Sequence, residues 1–185
     1  MLEHRNMNLK PWLLKFSILA LTIIVSLTIF SLPASAFVPG NLKTFLETGN
    51  CIGCNLSEAF FFGDDFSGAD LSNADLSNAT FYNVDLKGAN LSNATLTNAN
   101  LQTSELNNAN LSQAQGENAI FKKAILVEAN LSAADFSNAD MQGANLEKAT
   151  LTGTNLCDAF LFEAIMPDNT IYNGDVSSYE ALDCN

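Results

Sequence analysis

The chain has 185 residues, twenty acids against eight bases, and a formal net charge of −12. Its single His and single Arg, His4 and Arg5, both stand within the first five residues. Imidazole-based triads, imidazole metal sites and Arg clamps are therefore excluded from everything that follows them, and an acidic chain without a basic stripe is not expected to hold nucleic acid directly.

Residues 1–36 read as a secretory signal peptide. Arg5, Lys10 and Lys15 give a basic start, Phe16 to Leu32 form an apolar run of seventeen, and Pro33 precedes the small-x-small site Ala34-Ser35-Ala36. Cleavage after Ala36 is expected. A retained anchor is the alternative, although the run is short beside the ~20 residues of a full span. Cleavage would leave 149 residues with five Lys and nineteen acids, a net charge of −14, and would confine membrane contact to the uncut leader.

Residues 37–53 form an expected N-terminal cap. In "PGNLKTFLETGN", Asn41 is placed to cap a short helix, Leu42, Phe45 and Leu46 share one face, and Gly49 ends it. The helix is expected over Leu42 to Thr48.

From residue 54 to 176 the chain beats in fives. A large apolar centre recurs at Leu56, Phe61, Phe66, Leu71, Leu76 and onward to Met166 and Ile171, broken only by Gly116. Two places before most centres stands Ala; Cys54, Asp64, Val84, Ser104, Thr154 and Asn169 are the exceptions. Neither a helix (3.6) nor a strand (2) has this period. Two inward residues per five suit a chain that turns a corner in every unit, so four corners close a coil of about twenty residues, with Asn, Asp, Ser and Gly at the turns. One coil cannot bury its own apolar side, so coils must stack, about 4.8 Å apart as parallel strands. Six coils give a rod of roughly 29 Å. Read at twenty, Gly116 and Phe136 fall in one column, the ring beside the missing side chain, as in volume compensation.

The Ala, Asp/Asn, Leu/Phe, x, x unit resembles the pentapeptide-repeat family over roughly Cys54 to Val176. The resemblance implies an all-β fold, a right-handed quadrilateral parallel β-helix. Asp64 is the departure most at odds with an inward position, because a buried carboxylate is costly, and irregularity is expected in that first coil.

Residues 177–185, "SSYEALDCN", read as a C-terminal cap or tail, with Tyr179 and Leu182 spaced to lie over the last coil. The four cysteines give three possible pairings. Cys51–Cys54 with Cys157–Cys184 keeps each bond at one end of the rod; buried thiols and a redox dithiol at Cys51-Ile-Gly-Cys54 are the alternatives. A zinc site would need thiolates gathered from both ends, so no metal is expected, and no cofactor.

Two outward features stand out. Asp65, Asp85 and Glu105 fall one coil apart in an acidic column, read as a solvated face, with weak Ca²⁺ binding as the alternative. Phe60, Ile120 and Phe160 share a second column, and Ile125 and Ile165 share its neighbour. These five form a candidate contact surface for a protein partner or a second copy, with packing under the C-terminal tail, or scattered surface residues, as the alternatives.

The leader, the Cys-x-x-Cys entry and the repeat block look like exported cyanobacterial members of the family, periplasmic or thylakoid-lumenal. The implied function is a non-enzymatic binding or structural scaffold of unassigned process. The alternative that the family offers is mimicry of DNA and binding to DNA gyrase; the acidic charge is compatible with it, while the leader and the short tail oppose it.

Overall fold

The computed structural model describes residues 39–172. The expected leader and C-terminal cap, with Tyr179, Leu182 and Cys184, lie outside the described residues.

The described chain opens with helix α1, Pro39–Thr48. It starts three residues before the expected Leu42, so Asn41 lies inside the first turn; its side-chain amide instead donates to Asn55 O at 3.4 Å. Gly49 ends the helix as expected, at φ 71, where a left-handed residue is needed and Gly carries no Cβ penalty. Its N–H donates to Phe45 O at 2.7 Å. Phe45 is fully buried, with its ring 4.4 Å from Phe66 and 5.6 Å from Phe61. Leu42 and Leu46 are partly buried against the same core. The helix thus plugs the first coil with one ring.

Beyond α1 the chain forms four columns of parallel bridges, each stepping twenty residues per rung. Face A runs Asn50, Asp70, Asn90, Asn110, Asn130 and Thr150. Face B runs Asn55, Asp75, Thr95, Gln115, Asp135 and Asn155. Face C runs from Phe60 and Thr80 through Asn100, Ile120 and Asp140 to Phe160. Face D runs Asp65, Asp85, Glu105, Ile125, Asn145 and Ile165. Four columns at a common step of twenty are what four corners per coil require. Two short strands, β1 (Phe60–Phe62) and β2 (Thr80–Tyr82), pair in parallel on face C.

The interior follows the beat. The centres from Leu56 to Met166 are buried, apart from Leu151, which is partly buried, and the empty slot at Gly116. A Cβ on Gly116 would meet Phe136 Cδ1 and Cε1 at 2.3 Å. The Phe136 ring therefore fills the space that Gly116 leaves, and it packs edge-on against Phe121 at 5.1 Å. Corners are tight turns: Ala74 N–H donates to Leu71 O at 3.1 Å, with Asn73 at φ 59. Asn tolerates this left-handed conformation better than most side chains, which explains its recurrence there. Ala closes most of these turns and is buried where neighbouring walls meet.

The exceptions to Ala cluster. Asp64, Val84 and Ser104 occupy one corner in three successive coils, and at the first two the chain opens into β1 and β2. Asp64 is half-buried, accepting the Phe62 N–H at 3.2 Å, so the first coil is irregular at this position. Ser104 and Thr154 are buried, and each hydroxyl donates to a backbone carbonyl, Leu101 O at 2.6 Å and Leu131 O at 2.8 Å.

Both ends of the rod differ from expectation. The ladder begins at Asn50, four residues before residue 54, and Cys51 fills a centre slot with Cys54 in the small slot after it. At the other end the coil stops at Met166. Met166 N–H donates to Thr170 O at 2.7 Å, Asn169 N–H donates to Met166 O at 2.9 Å, and Asn169 sits at φ 65. This is a three-residue hairpin loop. It turns the chain back antiparallel, so that Ile171 pairs with Ile165 and is exposed instead of filling a centre.

Candidate contact surface

The polar residues of face A are committed to one another. Asp70 Oδ1 accepts from Asn90 Nδ2 at 3.2 Å, Asn90 Oδ1 from Asn110 Nδ2 at 3.2 Å, and Asn110 Oδ1 from Asn130 Nδ2 at 3.4 Å. The same oxygens take the backbone N–H two residues on, from Ser72, Ser92 and Ser112. Face B repeats the device, with Asn155 Nδ2 donating to Asp135 Oδ1 at 3.0 Å. Short Asx side chains bond their own turn and the next coil at once, which suits the residue before each centre to Asn or Asp.

On face D the structure brings Asp65, Asp85 and Glu105 into one column as expected. Lys87 lies across it, with Nζ 3.2 Å from Asp85 Oδ2 and in contact with Glu105 Oε2. The Glu105 carboxylate, then that of Asp85, raises the Lys87 ammonium above its ordinary range. Asp65 and Asp85 each also accept a turn N–H, from Ser67 and Lys87, at 3.0 Å. The ammonium occupies the place between carboxylates that a cation would take. Among the described residues no cluster of three or more His, Cys, Asp or Glu is arranged to hold a metal.

Face C is different. Phe60 and Phe160 stand 70% and 54% exposed at its two ends, with Ile120 half-buried between them. Ile125 and Ile165 lie on the adjoining face D, the first exposed and the second half-buried. The corner between C and D adds three rings that sequence reasoning missed, because they follow the centre instead of preceding it: Phe62, Tyr82 and Phe162. Phe62 and Phe162 are 63% and 53% exposed. Phe62 stacks on Tyr82 with centroids 5.7 Å apart and planes 3° apart, and Phe160 lies 6.3 Å from Phe162. Reading the residue after each centre at a step of twenty would have found this column. Phe60 and Phe62 at one end and Phe160 and Phe162 at the other stand five coils, or about 24 Å, apart on one edge.

Cys51 and Cys54 form a disulfide across the first turn, Cα atoms 5.4 Å apart. Cys157 faces outward on the Asn155 turn, taking Asn155 Oδ1 through its N–H at 3.0 Å. Cys157 is also disulfide-bonded.

The sequence profile of pentapeptide repeats matches residues 65–102, 96–132 and 124–161 in eight copies, together more than half of the 185 residues. The chain belongs to the pentapeptide-repeat family. Among solved family structures, HetL of the cyanobacterium Nostoc sp. strain PCC 7120, a protein involved in heterocyst differentiation regulation, is 31% identical, with a TM-score of 0.52. The match covers 66% of this chain and 62% of HetL, so the chain spans less than two thirds of that protein's length. A pentapeptide-repeat protein of the Arabidopsis thaliana thylakoid lumen is 28% identical with a TM-score of 0.51, over 52% of this chain and 68% of its own. No curated protein matches the chain. Solved pentapeptide-repeat proteins fold as β-helices, in keeping with the four parallel columns of this one.

Proposed function

We propose that this pentapeptide-repeat protein is an exported, non-enzymatic scaffold, a right-handed quadrilateral rod that makes protein contacts along the edge of faces C and D. One observation carries the contact surface: two exposed aromatic pairs, Phe60 with Phe62 and Phe160 with Phe162, stand on one edge of a rod whose faces A and B are polar and bonded within themselves. Large exposed rings in register, rimmed by polar residues, mark a site of association. The scaffold needs no cofactor, and none of its outward residues is a His or Arg.

Two features support export to a periplasm or thylakoid lumen: the basic, apolar, Ala-Ser-Ala leader of residues 1–36, and the likeness to a thylakoid-lumen protein of the family. Among the described residues no helix is long and apolar enough to cross a membrane. Fractionation with intact-mass measurement tests the compartment: a species beginning at Phe37 outside the cytoplasm is expected, and a cytoplasmic species with an intact leader would overturn it. For the surface, cross-linking in cells followed by capture compares wild type with Phe60→Ser/Phe62→Ser and with Ile52→Ser, an exposed residue of another corner. Loss of cross-linked species from the first variant alone is expected. Equal recovery from all three would exclude this edge as the contact surface.

A further inference from the structure

Face C has six rungs: Phe60, Thr80, Asn100, Ile120, Asp140 and Phe160. Its aromatic residues stand at the first and last rung, equally far from the middle. Each is joined by a second ring two residues on, Phe62 and Phe162, across an equivalent buried centre, Phe61 and Leu161. A surface with matching groups at equal distances from its midpoint is self-complementary under a twofold axis, the requirement for an isologous dimer. Its charge is also low for a chain of net −12. Asp140 is the only charged residue among the six rungs, and Lys122 the only charged one in the corner column that holds Phe62 and Phe162. Depletion of charge with enrichment of aromatics is the composition of an interface centre.

We propose that face C pairs with face C of a second copy, with the two rods antiparallel, a pairing that rests on reading this edge as the contact surface. In this arrangement Phe60 and Phe62 meet Phe160 and Phe162 of the other copy at both ends, and Asn100 meets Ile120 on either side of the axis. Asp140 lies opposite Thr80, and Lys122 opposite Gln102. The charges decide the direction. A parallel pair would bring Phe60 against Phe60 and Phe160 against Phe160, but it would also set Asp140 against Asp140, and like charges directly opposed across a contact are unfavourable.

The full chain, expressed from its complete sequence, is sized by sedimentation velocity over a range of concentrations. A reversible dimer is expected. Phe60→Ser/Phe62→Ser and Phe160→Ser/Phe162→Ser should each raise its Kd about tenfold or more, and by similar factors, because each pair meets the other. Direction is read by oxidative cross-linking of Thr80→Cys and Asp140→Cys. Mixed, the two variants should form a disulfide-linked pair; alone, neither should, because identical positions lie three coils, about 14 Å, apart, beyond the reach of a disulfide. Circular dichroism and an unchanged melt establish that each variant is folded. Each variant cross-linking only to itself would overturn the antiparallel pairing in favour of parallel rods. A monomer at every concentration would overturn self-pairing altogether, while loss of cellular cross-links on changing Phe60 and Phe62 would still identify the edge as a contact for a different protein.

Discussion

Faces A and C share one backbone, one step of twenty residues and one interior, yet they dispose of their outward groups in opposite ways. On face A, from Asp70 to Asn130, each Asn or Asp bonds its own turn and a neighbouring coil, so this stretch of the face is finished by its own neighbours. On face C and its corner the outward rings find at most another ring, as Phe62 finds the half-buried Tyr82 and Phe160 finds Phe162. Inward positions therefore carry the fold on all faces alike, and outward positions are free to carry either self-bonding or association. Substitutions should separate these roles.

The largest effect belongs to the shared interior. Leu91→Ala deletes buried methyl groups between coils that fix the backbone above and below, and should cost about 2–5 kcal/mol. Phe60→Ser, on the surface of the same rod, should cost about 0.5 kcal/mol or less in dilute solution. Denaturant melts compare them directly, and equal costs would erase the distinction between interior and face C.

Gly116 sharpens the claim that the interior is a fitted column. Gly116→Ala places a Cβ 2.3 Å from two atoms of the Phe136 ring, and overpacking of this kind should cost about 1–3 kcal/mol. Phe136→Leu alone should also destabilise, by leaving space. The two together should cost less than their sum, with a coupling of about 0.5–3 kcal/mol in a double-mutant cycle. An additive result would mean that the two positions are not compensating each other.

On face A, Asn110→Ala breaks the bond to Asn90, the bond from Asn130 and the Ser112 N–H contact. These bonds are partly buried, and a loss of about 0.5–1.5 kcal/mol is expected. The same substitution at Asn100, on face C, removes the bond from the Gln102 N–H and should cost less. Reversal of that order, measured by melts, would contradict a self-bonding face A.

The smallest effect is at Asp64, where face C meets face D. Burial raises its carboxyl above its ordinary value of 3.8, and the Phe62 N–H lowers it less. A raised folded value means that stability is fully present below pH 3.8 and declines as pH rises through the folded value. Asp64→Asn keeps an acceptor for Phe62 and removes the charge. It should melt higher than wild type at neutral pH, with the gap closing below the ordinary carboxylate value. A constant gap across that range would mean that ionisation of Asp64 does not load the corner.

Much of this was legible in the residues. The beat of five gives the corners and the step of twenty gives the columns; Gly116 and Phe136 showed their compensation before any coordinate. The ends were harder to read, because capping is specified by a few local residues and the repeat gives no information about where it stops. Pro39, well suited to a first helical turn, marks the start of α1 better than Asn41 does. Cys51 continues the centres, but a small sulfur side chain does not look like one, and the start of the ladder was set one unit late. Pro167-Asp168-Asn169 is turn chemistry that ends the coil, and Ile171 fell on the beat only by spacing. Phe62, Tyr82 and Phe162 went unread because turn positions are expected to be polar, so a departure shows only when that column is read for itself.

Hydroxyl-radical footprinting of the unmodified chain at low and high concentration tests the central claim, that face C is held for association, most directly. Phe62 and Phe162 should react readily in dilute solution, where both are more than half exposed, and should lose reactivity together as concentration rises. Ile52, 64% exposed on another corner, should react equally at both. Undiminished reactivity of both rings at high concentration, or protection that spreads equally to Ile52, would contradict it.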